Sequence, residues 1–320
     1  MMVFRRELRG RHIFDETITA APKAQNSILQ VFKTLDSEAL AAGTFRTLGA
    51  LNVLFVVLIC AYLLVAGIPA ISKIGIVDFF FNTRWASTAE TPSFGILPFI
   101  LTSVYGTALA LLIGLPTGFF TAVYIAFFAA PAVKKILGTA VDLLAGIPSV
   151  VYGLVGMLTL VPWIQETFDL PDGSGLLAAS LVLALMILPT IVKVTVTSLE
   201  AVPLDYRLAS LALGANETET VFRVVIPAAS SGIAAAAVLG VGRALGEAMA
   251  VMMVAGNAAN MPGLFESVRF LTTAVASEMS YSSGLQREAL FSIALVLFGF
   301  ILLVNAALNA ILKGGKTHAK

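Results

Sequence analysis

Apolar runs long enough to cross a bilayer recur six times along the chain, at about residues 48–71, 96–128, 138–161, 175–197, 230–256 and 289–312, with polar residues gathered between them. A helix rising about 1.5 Å per residue needs about 20 such residues to cover the hydrocarbon. The pattern therefore predicts six transmembrane helices. The second run invites another reading, since Thr91–Val133 holds no Asp, Glu, Lys or Arg over 43 residues and Pro116 divides it into two short halves. Charge bias decides for one span. With six spans and the N terminus inside, the segments facing the cytoplasm carry 14 Lys and Arg, and the outer loops carry 4, namely Lys73, Arg84, Arg269 and Arg287. Basic residues are enriched in loops that stay in the cytoplasm. A seventh span would put Lys134, Lys135 and the polar segment 205–227 outside. Residues 1–47 then form a cytoplasmic N-terminal segment, 48–312 the six-span domain, 198–229 a cytoplasmic loop within it and 313–320 a cytoplasmic tail.

Composition agrees with this layout. Of 320 residues, 58% are hydrophobic and 12% charged, and the mean hydropathy is +0.93, which fits an all-α membrane protein and excludes a soluble domain. Residues 1–47 lack the apolar core of a cleaved signal peptide. Within them Ile28, Phe32 and Leu35 are spaced for one helix face, which fits either an amphipathic helix on the inner membrane surface or a solvated tail. The single cysteine, Cys60, lies in the first span, excludes an internal disulfide and reads as packing.

Enzymatic chemistry finds no foothold. The only histidines, His12 and His318, lie in the terminal tails, so neither a histidine metal cluster nor a Ser-His-Asp hydrolase can assemble within the membrane. Gly315-Lys316-Thr317 looks like the end of a phosphate-binding loop, but the position of its first glycine is Ala310 and it follows a span rather than a strand. The chain is expected to catalyse no reaction and to bind no cofactor or metal. Any ATP chemistry belongs to another polypeptide.

The segment Asp205–Pro227, DYRLASLALGANETETVFRVVIP, is a polar, helix-forming island. Leu208, Leu211, Ala212 and Ala215 fall at i, i+3, i+4 and i+7, predicting one apolar face on a short helix. Gly214 suits a left-handed helix end, Asn216 with Glu219 three residues on suits the cap of a second helix, and Pro227 is expected to end that helix. This pattern resembles the EAA loop of ABC importer permeases, with Leu208, Ala209, Ser210, Gly214, Val224, Ile226 and Pro227 at the matching positions. The leading Glu of that pattern is replaced by Leu208, and Ser210 stands for its second Ala. In that family the loop inserts into a cleft of the ATPase subunit; an ordinary connection between spans is the alternative.

Arg243 and Glu247 sit near the middle of the fifth run, four residues apart and expected on one helical face. Each costs about 2.5–3.5 kcal/mol at a helix centre on insertion scales, so the pair should face protein or water. Gly240, Gly242 and Gly246 remove bulk beside it, for close packing or for a passing solute. Two readings follow: an internal ion pair that fixes packing, or an anion path in which Arg243 attracts and Glu247 tempers. Pro116, Pro148 and Pro189 bend their spans. Asp142 and Lys193 lie near inner span ends and either pair or snorkel. Gly114 and Gly118 form a packing face, and Trp85 and Trp163 fall where interface anchors sit.

GRALGEAMAVMMVAGN at Gly242–Asn257 resembles the fifth-span signature of PstC-type permeases of phosphate ABC importers, and AGIPSVVYGL at Ala145–Leu154 resembles a third-span signature of the PstC and PstA subunits. FGILPFILTS at Phe94–Ser103 and REALFSIALVLFGFILLVN at Arg287–Asn305 are similar as well. The resemblance implies a type I ABC importer permease fold with a cytoplasmic coupling-helix loop, in a bacterial inner membrane. It implies Arg243 and Glu247 in phosphate passage, and as partners a PstA-like permease, two ATPase subunits holding ATP and Mg, a periplasmic or lipid-anchored phosphate-binding protein, inorganic phosphate and lipid, with no nucleic acid. Two alternatives stay open: a self-sufficient secondary transporter or channel for an anion, and an ABC permease for sulfate or molybdate.

Overall fold

In the structure, a computed structural model, five helices among the described residues are long and apolar enough to cross a membrane, and a sixth crossing forms if the bent pair Glu217–Ala228 and Ser230–Gly246 counts as one. The described residues are 8–314, with side chains over 38–308 and at 310. The side chains of His12, Ile28, Phe32 and Leu35, together with His318 and Gly315-Lys316-Thr317, lie outside them.

The chain divides after Tyr62 into two compact units. The first belongs to helix α1 (Leu8–Ile74), and every described side chain from Glu38 to Ile59 is exposed. Thr44 and Thr47 turn their hydroxyls back to the carbonyls of Leu40 and Gly43, at 2.8 and 2.9 Å. Hydroxyls turned back onto the helix backbone in this way, with apolar side chains outward, suit a stretch to hydrocarbon.

The second unit is organised around α7 (Leu176–Glu200), the most buried of the spans. Helix α3 (Leu97–Val123), continued by a π-helical turn at Tyr124–Phe128, lies along it. The contact is close because of the predicted glycine face: a Cβ at Gly114 would come within 2.9 Å of Ile187, and one at Gly118 within 2.8 Å of Ile191. Helix α11 (Ser230–Gly246) covers another side of α7, where a Cβ at Gly240 would lie 3.3 Å from Ile191. A separate apolar core joins Phe79 of α2 (Ile76–Phe81) with Phe94, Ile96 and Phe99 and with Leu271, Leu290 and Ile293. The last three lie on α13 (Leu271–Glu278) and α14 (Gly284–Gly314). A short hairpin, β1 (Trp85–Ala86) against β2 (Ser93–Phe94), caps this end.

Two of the expected spans are not continuous helices. The 138–161 run is cut at Ile147-Pro148: α4 (Pro131–Gly146) stops, and helix resumes as α5 (Ser149–Val155), a π-helical turn at Gly156–Leu160 and α6 (Val161–Thr167). Proline lacks the N–H that would continue α4 and drives the residue before it out of the helical region, as the ψ of 127° at Ile147 records. The helix here that is long and apolar enough to cross a membrane is Ser149–Thr167, shifted from the expected 138–161. The 230–256 run breaks after Gly246 and resumes as α12 (Met249–Val254). Asp142 and Lys193 pair at 2.7 Å, as do Lys134 and Glu200, tying α4 to α7.

Candidate functional site

The break in the fifth run changes the expected charge pair. Glu247 is extended, with ψ 128°, and its Oε1 accepts the N–H of Ala250 at 3.1 Å, so it caps α12 rather than continuing α11. Thr272 donates to the Glu247 carbonyl at 2.8 Å, which satisfies a group the break would otherwise orphan. Arg243 and Glu247 thus do not share a helical face, and they form no ion pair. The i, i+4 geometry that would unite them needs an unbroken helix, and the Gly246-Glu247 step ends it.

Arg243 instead donates from Nη1 to Thr190 Oγ1 of α7 at 3.0 Å. Among the described residues this is its only hydrogen bond, and it has no carboxylate partner. The side chain is half-buried, a guanidinium with five N–H donors of which one is engaged. A Cβ built on Gly242 or Gly246 meets no atom within 4 Å, so the chain on both sides of Arg243 borders open space. Of the three glycines in this stretch, Gly240 serves packing and the other two leave room.

The second signature stretch meets the first here. Gly153 of α5 abuts Ala250 of α12, where a Cβ would lie 2.8 Å from the Ala250 Cα. Next to it, Tyr152 is within electrostatic reach of Arg243, and its hydroxyl donates to the Leu144 carbonyl at 2.8 Å. That bond bridges the Ile147-Pro148 break and fixes the tyrosine beside the cation. Tyr152 lies inside the AGIPSVVYGL stretch and could have been singled out there. Thr190 has no comparable signal beyond its place after Pro189.

The polar island folds into α8 (Leu204–Ala212), a turn at Gly214 with φ +89°, and α9 (Glu217–Thr220). Asn216 and Glu219 form the expected capping box, at 2.8 and 3.2 Å. Pro227 does not end the second helix. A π-helical turn at Val221–Val225 precedes it and passes into α10 (Ile226–Ala228), so the chain stays helical to Ala228 and bends by 68° at Ala229. The wider turn accommodates a residue without an N–H. No residue of α8 is buried: Leu208, Ala209 and Ala212 are exposed, as is Leu213 beyond it. Gly214 and Pro227 are exposed too, while Ser210 bonds Thr220 at 2.9 Å and Val224 and Ile226 turn partly inward. Arg207 reaches Glu217 at 3.2 Å and lies over the Phe127 ring, placing the island beside the far end of α3.

At the opposite end of α3, one carboxylate gathers the loops. Glu278 accepts from Trp85 Nε1 at 3.2 Å, Gln286 Nε2 at 3.0 Å, Ser87 Oγ at 3.4 Å and Arg269 Nη1. Arg269 also donates to the Asn257 carbonyl at 2.8 Å and stacks over Phe99. Trp85 is half-buried against Phe94 and Phe99 and ties the hairpin down, whereas Trp163 is exposed.

Comparison with known proteins places this geometry. Residues 114–314 match the family described as binding-protein-dependent transport system inner membrane component. A probable ABC transporter permease protein of Bacillus subtilis, YqgH, is 39% identical over 236 residues, covering 72% of this chain and 76% of that one. The phosphate transport system permease protein PstC of Pasteurella multocida is 35% identical, covering 69% and 75%. PstC 2 of Mycobacterium tuberculosis is 33% identical over 293 residues, covering 84% and 90%. Among solved structures, the inward-facing MetNI methionine ABC transporter shares the fold at 20% identity, with a TM-score of 0.52 over 69% of this chain and 94% of that one. The chain is a multi-pass membrane protein, and it belongs to the inner membrane components of binding-protein-dependent transport systems, in the branch that holds the PstC permeases.

Proposed function

We propose that this chain is the PstC-like permease subunit of an ATP-driven phosphate importer in a bacterial inner membrane, with both termini cytoplasmic. It pairs with a PstA-like permease, and the anion passes along Arg243 between them. A periplasmic or lipid-anchored binding protein delivers inorganic phosphate at the end where Glu278 gathers the loops. Two ATPase subunits, which hold the ATP and Mg, engage the exposed α8–Gly214–α9 elbow, whose matching positions are Leu208, Ala209, Ser210, Gly214, Val224, Ile226 and Pro227. This chain transports and does not hydrolyse.

One observation carries the reading: among the described residues Arg243 has a single hydroxyl partner, and there is open space beside it. A structural cation at membrane depth would be matched by a carboxylate. One left with free donors has capacity for a mobile anion, and phosphate is the cargo named for the PstC relatives. Glu247 lies next in the chain after the open Gly246, and its negative charge keeps the site from binding too tightly to release.

The test is the importer reconstituted in liposomes with its binding protein. Deleting Leu208–Gly214 should abolish ATP-dependent phosphate uptake while the chain still inserts in the membrane. Unchanged uptake would reject the docking role, and uptake of phosphate by this chain alone along an ion gradient would reject the ATP-driven reading.

A further inference from the structure

Helical serine and threonine hydroxyls usually bond the carbonyl four residues back. On α7, Ser180, Thr197 and Ser198 do so, at 2.7, 2.9 and 2.6 Å. Thr190 and Thr195, on the same helix, do not, and of these two Thr195 is sealed in the core. The Oγ1 of Thr190 accepts from Arg243, and its own O–H finds no acceptor among the described residues. The side chain is half-buried rather than sealed in the core.

A hydroxyl both donates and accepts, so among the described residues this one presents an unengaged donor directly beside a guanidinium with four unengaged N–H groups. The two groups are 3.0 Å apart, on different helices, α7 and α11. An oxyanion bridging them would take a charge-assisted bond from Arg243 and a directional one from Thr190 without meeting a second cation. That matters because a path must release what it holds. A valine at this position would fill the same volume and contribute neither function.

Resting on the reading of Arg243 as the anion-path cation, we infer that Thr190 is a second anion-binding residue, which fixes the Arg243 head and donates its own O–H to a tetrahedral oxyanion. The juxtaposition of α7 and α11 makes the two side chains one composite site. Losing a hydrogen bond to a charged partner is expected to cost about tenfold in transport.

The complete importer in liposomes supplies the test, with inorganic phosphate as the probe. Thr190→Val should lower uptake about tenfold, and Thr190→Ser should restore it to within about twofold of the parent. A second readout follows Arg243 itself: phosphate should slow its modification by phenylglyoxal, measured by mass spectrometry, and that protection should weaken in Thr190→Val and return in Thr190→Ser. Arg243→Gln serves as the comparison. If Arg243→Gln loses uptake while Thr190→Val transports and is protected like the parent, the role of Thr190 is overturned and the Arg243 path stands. If Thr190→Ser is as defective as Thr190→Val, the position serves packing and the inference fails. Normal uptake by Arg243→Gln overturns the path and this inference together.

Discussion

Two arginines of the same chain, Arg269 and Arg243, occupy opposite electrostatic conditions. Arg269 is 18% exposed, paired with Glu278, bonded to the Asn257 carbonyl and stacked on Phe99. Its partner Glu278 takes donors from four side chains on three separate segments. Arg243 has one neutral hydroxyl. A charge whose role is to hold loops together is surrounded by matching groups. A charge left with unmatched donors beside open space is available to something that is not part of the chain.

Substitutions can break this contrast, and the largest effect is expected at the unmatched cation. Arg243→Gln should reduce phosphate uptake by about 100-fold, the scale of a lost charged hydrogen-bonding partner, while the apparent melting temperature in detergent stays where it was. A large drop in melting temperature would make Arg243 a structural residue like Arg269. Glu278→Ala should show the reverse signature. It leaves Arg269 partly buried and unpaired, costs about 3 kcal/mol and is read as a lower melting temperature, with Glu278→Gln milder because the amide oxygen still accepts. The glycines give the finest test. Gly153→Ala, which pushes a methyl against the backbone of Ala250, should cost about 1–3 kcal/mol, and Gly246→Ala, which meets open space, less than about 0.5 kcal/mol. Equal losses at the two positions would mean the space beside Arg243 is not open.

Features that depend on a few neighbouring residues were legible in the sequence. Gly214, Asn216 and Glu219 form the turn and capping box their types require, because such devices act within four residues. The packing face of Gly114 and Gly118 also follows from residue type and position, whereas Asp142 and Lys193 fitted pairing or snorkelling equally in the sequence and only the fold shows that they pair. Breaks inside apolar runs were harder to see. A two-residue interruption at Ile147-Pro148 or Glu247-Ala248 hardly alters the average hydropathy of a span, yet it resets the helix register. That is why the Arg243–Glu247 face dissolved. Pro227 misled in the other direction, since a π-helical turn can absorb what an α-helix cannot. Thr190 was invisible because its significance lies in a bond to a residue 53 positions away.

The corner at Ala229 has a mechanical meaning. Its two arms, the helix that leaves the exposed elbow and the helix that bears the cation, differ in direction by 68°. A displacement along the first arm therefore arrives mostly sideways at the second. In the importer proposed above, such a corner would act as a crank and not as a piston: a pull at the elbow would swing Arg243 sideways instead of sliding it along, and neither helix would have to stretch or compress.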